Sequence, residues 1–256
     1  FLASYFTRRY DEVRGKKFSA AKPFIVMGVL GIFLLAQPDL GSTVVLFVIT
    51  FGMLFIVGAN FWQFILLIGT GILLFVWLVL SASYRLKRFT GFLEPFKDPY
   101  GTGFQLTNSL MAFGRGEISG EGLGNSIQKL DYLPEAHTDF IMAIIGEEFG
   151  FIGILVVVIL LGLLIFRAMK IGRESLMLEQ RFRGFFALGI SFWIFFQGFV
   201  NLGMALGMLP TKGLTFPLVS YGGSSIIIMS ATVGILLRID HENRLQRGGQ
   251  ARLRDD

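Results

Sequence analysis

The chain has 256 residues, of which 53% are hydrophobic and only 16% charged, with 28 Phe, 32 Gly and a mean hydropathy of +0.65. Such a mixture cannot close around one aqueous core without exposing large apolar patches, which excludes a soluble globular domain and predicts an all-α, polytopic membrane protein. The lack of Cys excludes disulfides and thiolate chemistry, two His argue against a dedicated zinc site, and the net charge of +5 comes from short basic clusters between apolar spans, as membrane topology and anionic lipid require and nucleic-acid binding does not.

In chain order, "FLASYF" at Phe1–Phe6 reads as the tail of an apolar helix whose start is missing, so an N-terminally truncated chain is expected. At about 20 apolar residues per crossing, helices are predicted near Pro23–Ala36, Gly41–Gly58, Phe61–Leu80, Phe149–Met169, Phe185–Leu209 and Leu218–Ile239. The first two are short and meet at "QPDLGS", with a break or tilt at Pro38. Six crossings put both termini on one side. Sixteen of the 23 Lys and Arg lie in three segments on that side, around Arg8–Lys22, Arg167–Arg183 and Arg238–Arg254, which makes it cytoplasmic by the positive-inside rule. The remaining basic residues are Lys212 and six in the long loop after Leu80, which is then extracytoplasmic. Nine of the 18 Asp and Glu fall between Glu94 and Glu148, so the outer face is where a site is expected. The organisation predicted is one membrane domain over 1–256, with a large extracytoplasmic loop inserted over 81–147 and a cytoplasmic tail over 240–256.

Within the loop, "GTGFQLTNSLMAFGRGEISGEGLGNS" (Gly101–Ser126) starts with Phe104, Leu106, Leu110 and Phe113 at loosely helical intervals and then breaks into glycines. An amphipathic or re-entrant helix at the membrane interface fits this pattern, and a turn-rich linker fits its spacing equally well. The glycines do not follow a dinucleotide or Walker spacing, which disfavours nucleotide binding. In "QKLDYLPEAHTDFIMAIIGEEFGFIG" (Gln128–Gly153), Pro134 stops any upstream helix and Thr138 or Asp139 is placed to cap a new one through Phe140, Ile141, Ile144 and Ile145. Asp139 and Glu147 share a helical face, but at 1.5 Å per residue they stand roughly 12 Å apart, too far to share a proton or to act as a glycosidase pair. A lone base at Asp139 and a plain helix cap both remain open. Glu147 and Glu148 read as a snorkelling or hydrogen-bonded interfacial pair. Glu135, His137 and Asp139 form at most a weak divalent-cation cluster. Farther on, "NLGMALGMLPTKGLTFPLVSYGGSS" (Asn201–Ser225) puts Lys212 between two prolines, an isolated cation beside a helix start that can hold a phosphate, and places Ser220 and Tyr221 in the following helix. Gly222 and Gly223 suit close helix packing.

Three strings, "AQPDLGS", "GFQLTNSLMAFGRGEISGEGLGNSIQKLDYLPEAHTDFIMAIIGEEFG" and "MLPTKGLTFPLVSYGGSS", resemble the SEDS family (shape, elongation, division and sporulation), in its division-type branch, over nearly the whole chain. "QKLDYLPEAHTDF" favours that branch over the elongation type. The resemblance implies a ten-helix peptidoglycan glycosyltransferase that polymerises lipid II, so about four N-terminal helices are absent here. It implies an essential acidic residue in "HTDF", which is Asp139, and a second acidic position at Asp131. On this basis Asp139 is expected to activate the acceptor hydroxyl, with Asp131 orienting the acceptor or supporting Asp139. Lys212, Lys129 or Arg115 would neutralise the pyrophosphate, and Gln105, Ser109 and Glu117 would line the lipid groove. His137, Ser220 and Tyr221 complete the expected substrate-binding set. The expected setting is the inner membrane at the division septum. The expected partners are lipid II, a class B penicillin-binding protein transpeptidase, other divisome membrane proteins and membrane lipid, with no nucleic acid. No protein-bound cofactor is expected, and Mg or Mn is expected only with the pyrophosphate. The rivals are a lipid II flippase, which calls for polar residues such as Gln197 and Asn201 along a path through the bilayer, and a non-catalytic division scaffold.

Overall fold

The computed structural model describes residues 1–15, 21–37, 39–59, 61–81, 91–211 and 213–255, and its secondary structure is helical throughout these segments. The helices are α1 (Leu2–Arg8), α2 (Tyr10–Gly15), α3 (Ala21–Ala36), α4 (Leu40–Val57), α5 (Phe61–Leu80), α6 (Phe104–Gly116), α7 (Ile141–Met177), α8 (Arg181–Ala205) and α9 (Gly223–Asp255). Among the described residues, four are long and apolar enough to cross a membrane: α4, α7, α8 and the Gly223–Gly248 part of α9. Ala21–Ala36 and, inside α5, Phe64–Leu74 are shorter apolar stretches. All six expected spans therefore coincide with apolar helices, and the differences lie in where the helices end.

Each difference has a local cause. Helix α4 begins where Asp39 accepts a hydrogen bond from the Ser42 N–H at 2.9 Å and ends at Gly58, whose left-handed φ of 77° favours glycine. The expected break at Pro38 lies outside the described residues, between the ends of α3 and α4. Helix α8 stops at Ala205 rather than Leu209 because Gly207 turns left-handed (φ 71°) and the Met208 N–H folds back to the Gly203 carbonyl. Helix α9 starts at Gly223 rather than Leu218, since Leu218 itself has φ 63° and the turn after Pro217 leaves Ser220 and Tyr221 ahead of the helix instead of inside it. At its other end α9 passes Ile239 and runs on through the expected tail, carried by the Arg238–Glu242 and Asp240–Arg244 pairs one turn apart.

The chain forms two compact units. One comprises Phe1–Ile68, Gly162–Phe196 and Ile227–Asp256; its core packs Phe6, Val13, Met53, Leu54, Val57 and Phe185 together. In this unit Asn243, fully buried, donates to the Ile171 carbonyl and to Ser175 Oγ, tying α9 to α7. The other unit comprises Gly69–Leu161 and Gln197–Ile226. Its core is built from small and medium side chains, Ala112, Leu133, Ala136, Phe140, Ala143, Ile144 and Ala205, so that α6, the segment before α7 and the end of α8 approach closely. This second unit holds the candidate site.

Candidate active site

Helix α6 buries Leu106, Thr107, Asn108, Ser109 and Ala112 and leaves Met111, Gly114 and Arg115 exposed on one side. The amphipathic-helix reading of this segment holds, and the linker reading does not. Ser109 is fully buried, and its hydroxyl donates to the Ala205 carbonyl at 2.7 Å, which pins α6 to the end of α8. The groove-lining role expected for Ser109 is corrected on that ground: the hydroxyl has a protein partner and no access.

Helix α7 is not a continuous rod. Gly150 has φ 65° and ψ −162°, a conformation that only glycine adopts without strain, and it breaks the helical hydrogen bonding across its position. The loop after α6 supplies partners for the freed groups. The N–H groups of Phe151 and Ile152 donate to the carbonyls of Glu117 and Ile118, and the carbonyls of Glu147 and Glu148 accept from the N–H groups of Glu121 and Gly122. The backbones lie this close because glycines stand at the contacts: a Cβ on Gly116 would sit 1.8 Å from the Gly146 oxygen, and one on Gly150 would sit 2.4 Å from the Ile118 oxygen. Glu117, expected to line the lipid groove, has an exposed side chain, and its carbonyl takes part in this pairing.

Side chains reinforce the same junction. Glu147 is 0% exposed, and its carboxylate accepts four hydrogen bonds: from Arg115 Nη1 (3.0 Å), Ser126 Oγ (2.5 Å), Ile127 N–H (3.1 Å) and Gln128 N–H (3.2 Å). Glu148 pairs with Lys129 Nζ at 2.5 Å. A buried carboxylate is tolerated where hydrogen bonds and an opposite charge replace water, and here both are present. Of the two interfacial readings of this glutamate pair, the hydrogen-bonded one is correct, and snorkelling is excluded by the burial of both. Arg115, with Glu121 as a second partner at 3.8 Å, and Lys129 therefore already have carboxylate partners.

Asp139 lies two residues before α7, within the turns of Pro134–Phe140. Three donors from the Gln197–Ile226 segment take three consecutive carbonyls there. The Tyr221 N–H donates to His137 O (2.9 Å), Ser220 Oγ donates to Thr138 O (2.5 Å), and Asn201 Nδ2 donates to Asp139 O (2.8 Å). Asn201 Nδ2 also donates to Leu214 O, and Gln197 Nε2 donates to Thr215 O at 2.8 Å, which fixes the strand of chain on which Gly213 lies. A Cβ on Gly213 would be 3.1 Å from Asp139 Oδ2, so this backbone runs directly beside the carboxylate. Among the described residues no donor reaches the Asp139 carboxylate, and the Thr138 hydroxyl donates to Glu135. Neither side chain caps α7, which removes the bland reading of Asp139. Burial, followed by the nearby charge of Glu135, raises the Asp139 pKa to about 6.

The remaining expected residues are spread out. Asp131 is exposed at φ 65° in the wide helical turn Gln128–Tyr132. His137 and Tyr221 are exposed and, with Ile141, Val219 and Ile226, line a cleft of about 420 Å³. Gln105 is half-buried on α6. Ser220 is 2% exposed, donates to Thr138 O and accepts from the Phe216 N–H at 2.6 Å, so it contacts protein rather than substrate and is corrected accordingly. Lys212 lies outside the described residues. Asn201, read from sequence only as a transport-path residue, is instead part of the frame around Asp139.

A helical chain with several apolar spans and a half-buried carboxyl group beside the backbone of Gly213 is a multi-pass membrane protein with the makings of an acid–base site. The family model FTSW_RODA_SPOVE, described as "Cell cycle protein", matches residues 1–245, and the chain belongs to that family, in agreement with the SEDS resemblance. It is 84% identical over its whole length to the "Probable peptidoglycan glycosyltransferase FtsW" of Pasteurella multocida and 87% identical to the protein of the same description from Haemophilus influenzae. The chain spans 65% of the length of each of these relatives. A solved structure described as "Structural coordination of polymerization and crosslinking by a peptidoglycan synthase complex" superposes with a TM-score of 0.74 at 28% identity, covering 94% of this chain and 68% of that one.

Proposed function

We propose that the protein is a division-type peptidoglycan glycosyltransferase that polymerises lipid II at the septum, with Asp139 as the general base. The observation that carries the reading is the Asp139 carboxyl group, raised to about 6 by burial and free of hydrogen bonds among the described residues. A base with a pKa just below the working pH is ionised and still able to accept a proton. The relatives' descriptions and the solved synthase complex support the reaction class.

In this scheme the GlcNAc 4-hydroxyl of the acceptor gives its proton to Asp139. Its oxygen bonds to the anomeric carbon of the donor MurNAc, the bond from that carbon to the pyrophosphate oxygen breaks, and undecaprenyl pyrophosphate leaves with inversion. Positioned proton transfer of this kind contributes ~10²–10⁴-fold. Lys212 is assigned to the leaving pyrophosphate on charge alone. Arg115 and Lys129 are held by Glu147 and Glu148, so in this scheme they organise the loop. A Mg or Mn ion would enter with the pyrophosphate of the donor. Asp131 meets the acceptor at the exposed end of the loop, and the cleft beside His137 and Tyr221 takes apolar substrate surface. The protein acts in the inner membrane with a class B transpeptidase and other divisome proteins.

The flippase reading loses its best residues, because Gln197 and Asn201 are tied to the backbone of Thr215, Leu214 and Asp139. The test uses vesicles containing the purified protein, the transpeptidase and lipid II. Glycan strands are the expected product, whereas translocated lipid II without polymer overturns the proposal.

A further inference from the structure

We propose that Asn201 and Ser220 are positioning residues that aim the Asp139 carboxylate at the acceptor hydroxyl. The inference rests on the base role proposed for Asp139 and adds to it the groups through which that base is held. A side chain is directed by the backbone that bears it, and at Asp139 the backbone is gripped from a segment distant in sequence. Ser220 takes the Thr138 carbonyl across 82 positions, and Asn201 takes the carbonyl of Asp139 itself across 62. Both are buried, Asn201 completely and Ser220 to 2%, so neither is open to the acceptor.

The hydrogen bonding of each residue has one solution. Asn201 Nδ2 faces two carbonyl oxygens, of Asp139 and Leu214, and the reversed amide would set three oxygens against one another. Among the described residues no donor reaches its Oδ1, so the orientation of the amide is set entirely by the two carbonyls it clasps. Asn201 thereby joins the residue bearing the carboxylate to the strand carrying Gly213, whose missing Cβ leaves room beside Oδ2. Ser220 Oγ accepts from the Phe216 N–H while donating to Thr138 O, which transmits the turn after Pro217 to the same stretch of backbone. Without these clasps α7 keeps its helix, but the turn that precedes it loses the fixed direction in which Asp139 projects.

The experiment measures lipid II polymerisation by the reconstituted protein carrying Ser220→Ala, Asn201→Leu, Ser220→Thr or Asp139→Asn, normalised to the folded fraction found by thermal unfolding. Misplacing a catalytic group by about 1 Å costs on the order of 10²-fold. Ser220→Ala and Asn201→Leu are therefore expected to lower kcat roughly 10–100-fold with KM for lipid II within about twofold. Ser220→Thr, which retains the hydroxyl, is expected to recover most of the loss. If Asp139→Asn is inactive while Ser220→Ala and Asn201→Leu both retain wild-type kcat, positioning is overturned and the base stands. Equal losses in Ser220→Thr and Ser220→Ala overturn the role of the Ser220 hydroxyl. Wild-type polymerisation by Asp139→Asn overturns the base and, with it, the positioning.

Discussion

A carboxyl group whose charged form is disfavoured by burial keeps its proton until the pH passes about 6, and this sets the sign of two effects at Asp139. As a base it is inactive while protonated, so kcat/KM for polymerisation should rise with pH, turn over near 6 and stay flat above, without the limb in any variant lacking the carboxyl group. For stability the sign is opposite. The folded chain binds this proton more tightly than the unfolded chain, whose carboxyl titrates near 3.8, so the stabilising contribution is complete below that value and is lost as the pH rises through about 6. Asp139→Asn should therefore raise the Tm at pH 7.5 and leave it nearly unchanged at pH 4, as read by thermal unfolding in detergent; a lower Tm at pH 7.5 would contradict the burial argument. Asp139 itself was legible as a candidate from its place after the helix-stopping Pro134, with cap and base both open, and its role came from the resemblance of "HTDF". Its supports were not, because Asn201 and Ser220 lie 62 and 82 positions from the residues they bind, and no periodicity links amides to carbonyls over such separations.

At the scale of elements, apolar runs located every long helix, while the ends escaped wherever a backbone turn outweighed hydropathy. Leu218 and Val219 read as the start of a span, yet the left-handed φ of Leu218 keeps them out of α9. The junction between α7 and the loop was half visible: two adjacent Glu entering an apolar run call for partners, but sequence alone does not identify Arg115, Ser126 and Lys129 as those partners. Glu147→Ala removes the acceptor of the Ser126 hydroxyl and of the Ile127 and Gln128 N–H groups, at about 1–3 kcal/mol for a buried donor left unsatisfied, while Arg115, partly exposed, keeps Glu121. A sharply lowered Tm is expected, with Glu147→Gln in between. Gly150→Ala forces a Cβ against the Ile118 carbonyl, 2.4 Å away, and should undock the loop. Limited proteolysis between Ser119 and Asn125 is expected to accelerate in that variant; unchanged cleavage would mean that the backbone pairing does not hold the loop.

On the scale of the whole molecule, composition already excluded a soluble domain, and the exposed apolar surface agrees. Only 6% of the most apolar window of α7 is buried within the chain, and its outer face presents Leu155, Val156, Ile159, Leu160, Leu163 and Phe166. Surface of this kind requires lipid or other helices, so the protein should remain in the membrane fraction after an alkaline carbonate wash, and its release would contradict the membrane assignment. The chain belongs to the FTSW_RODA_SPOVE family and superposes on a solved peptidoglycan synthase complex, and the proposed glycosyl transfer is assigned to Asp139. The most direct measurement is the rate of glycan-strand synthesis from lipid II by the reconstituted protein with Asp or Asn at position 139. The account predicts a fall of ~10²-fold or more for Asp139→Asn, the contribution of a positioned base, and strands made at the wild-type rate would contradict it.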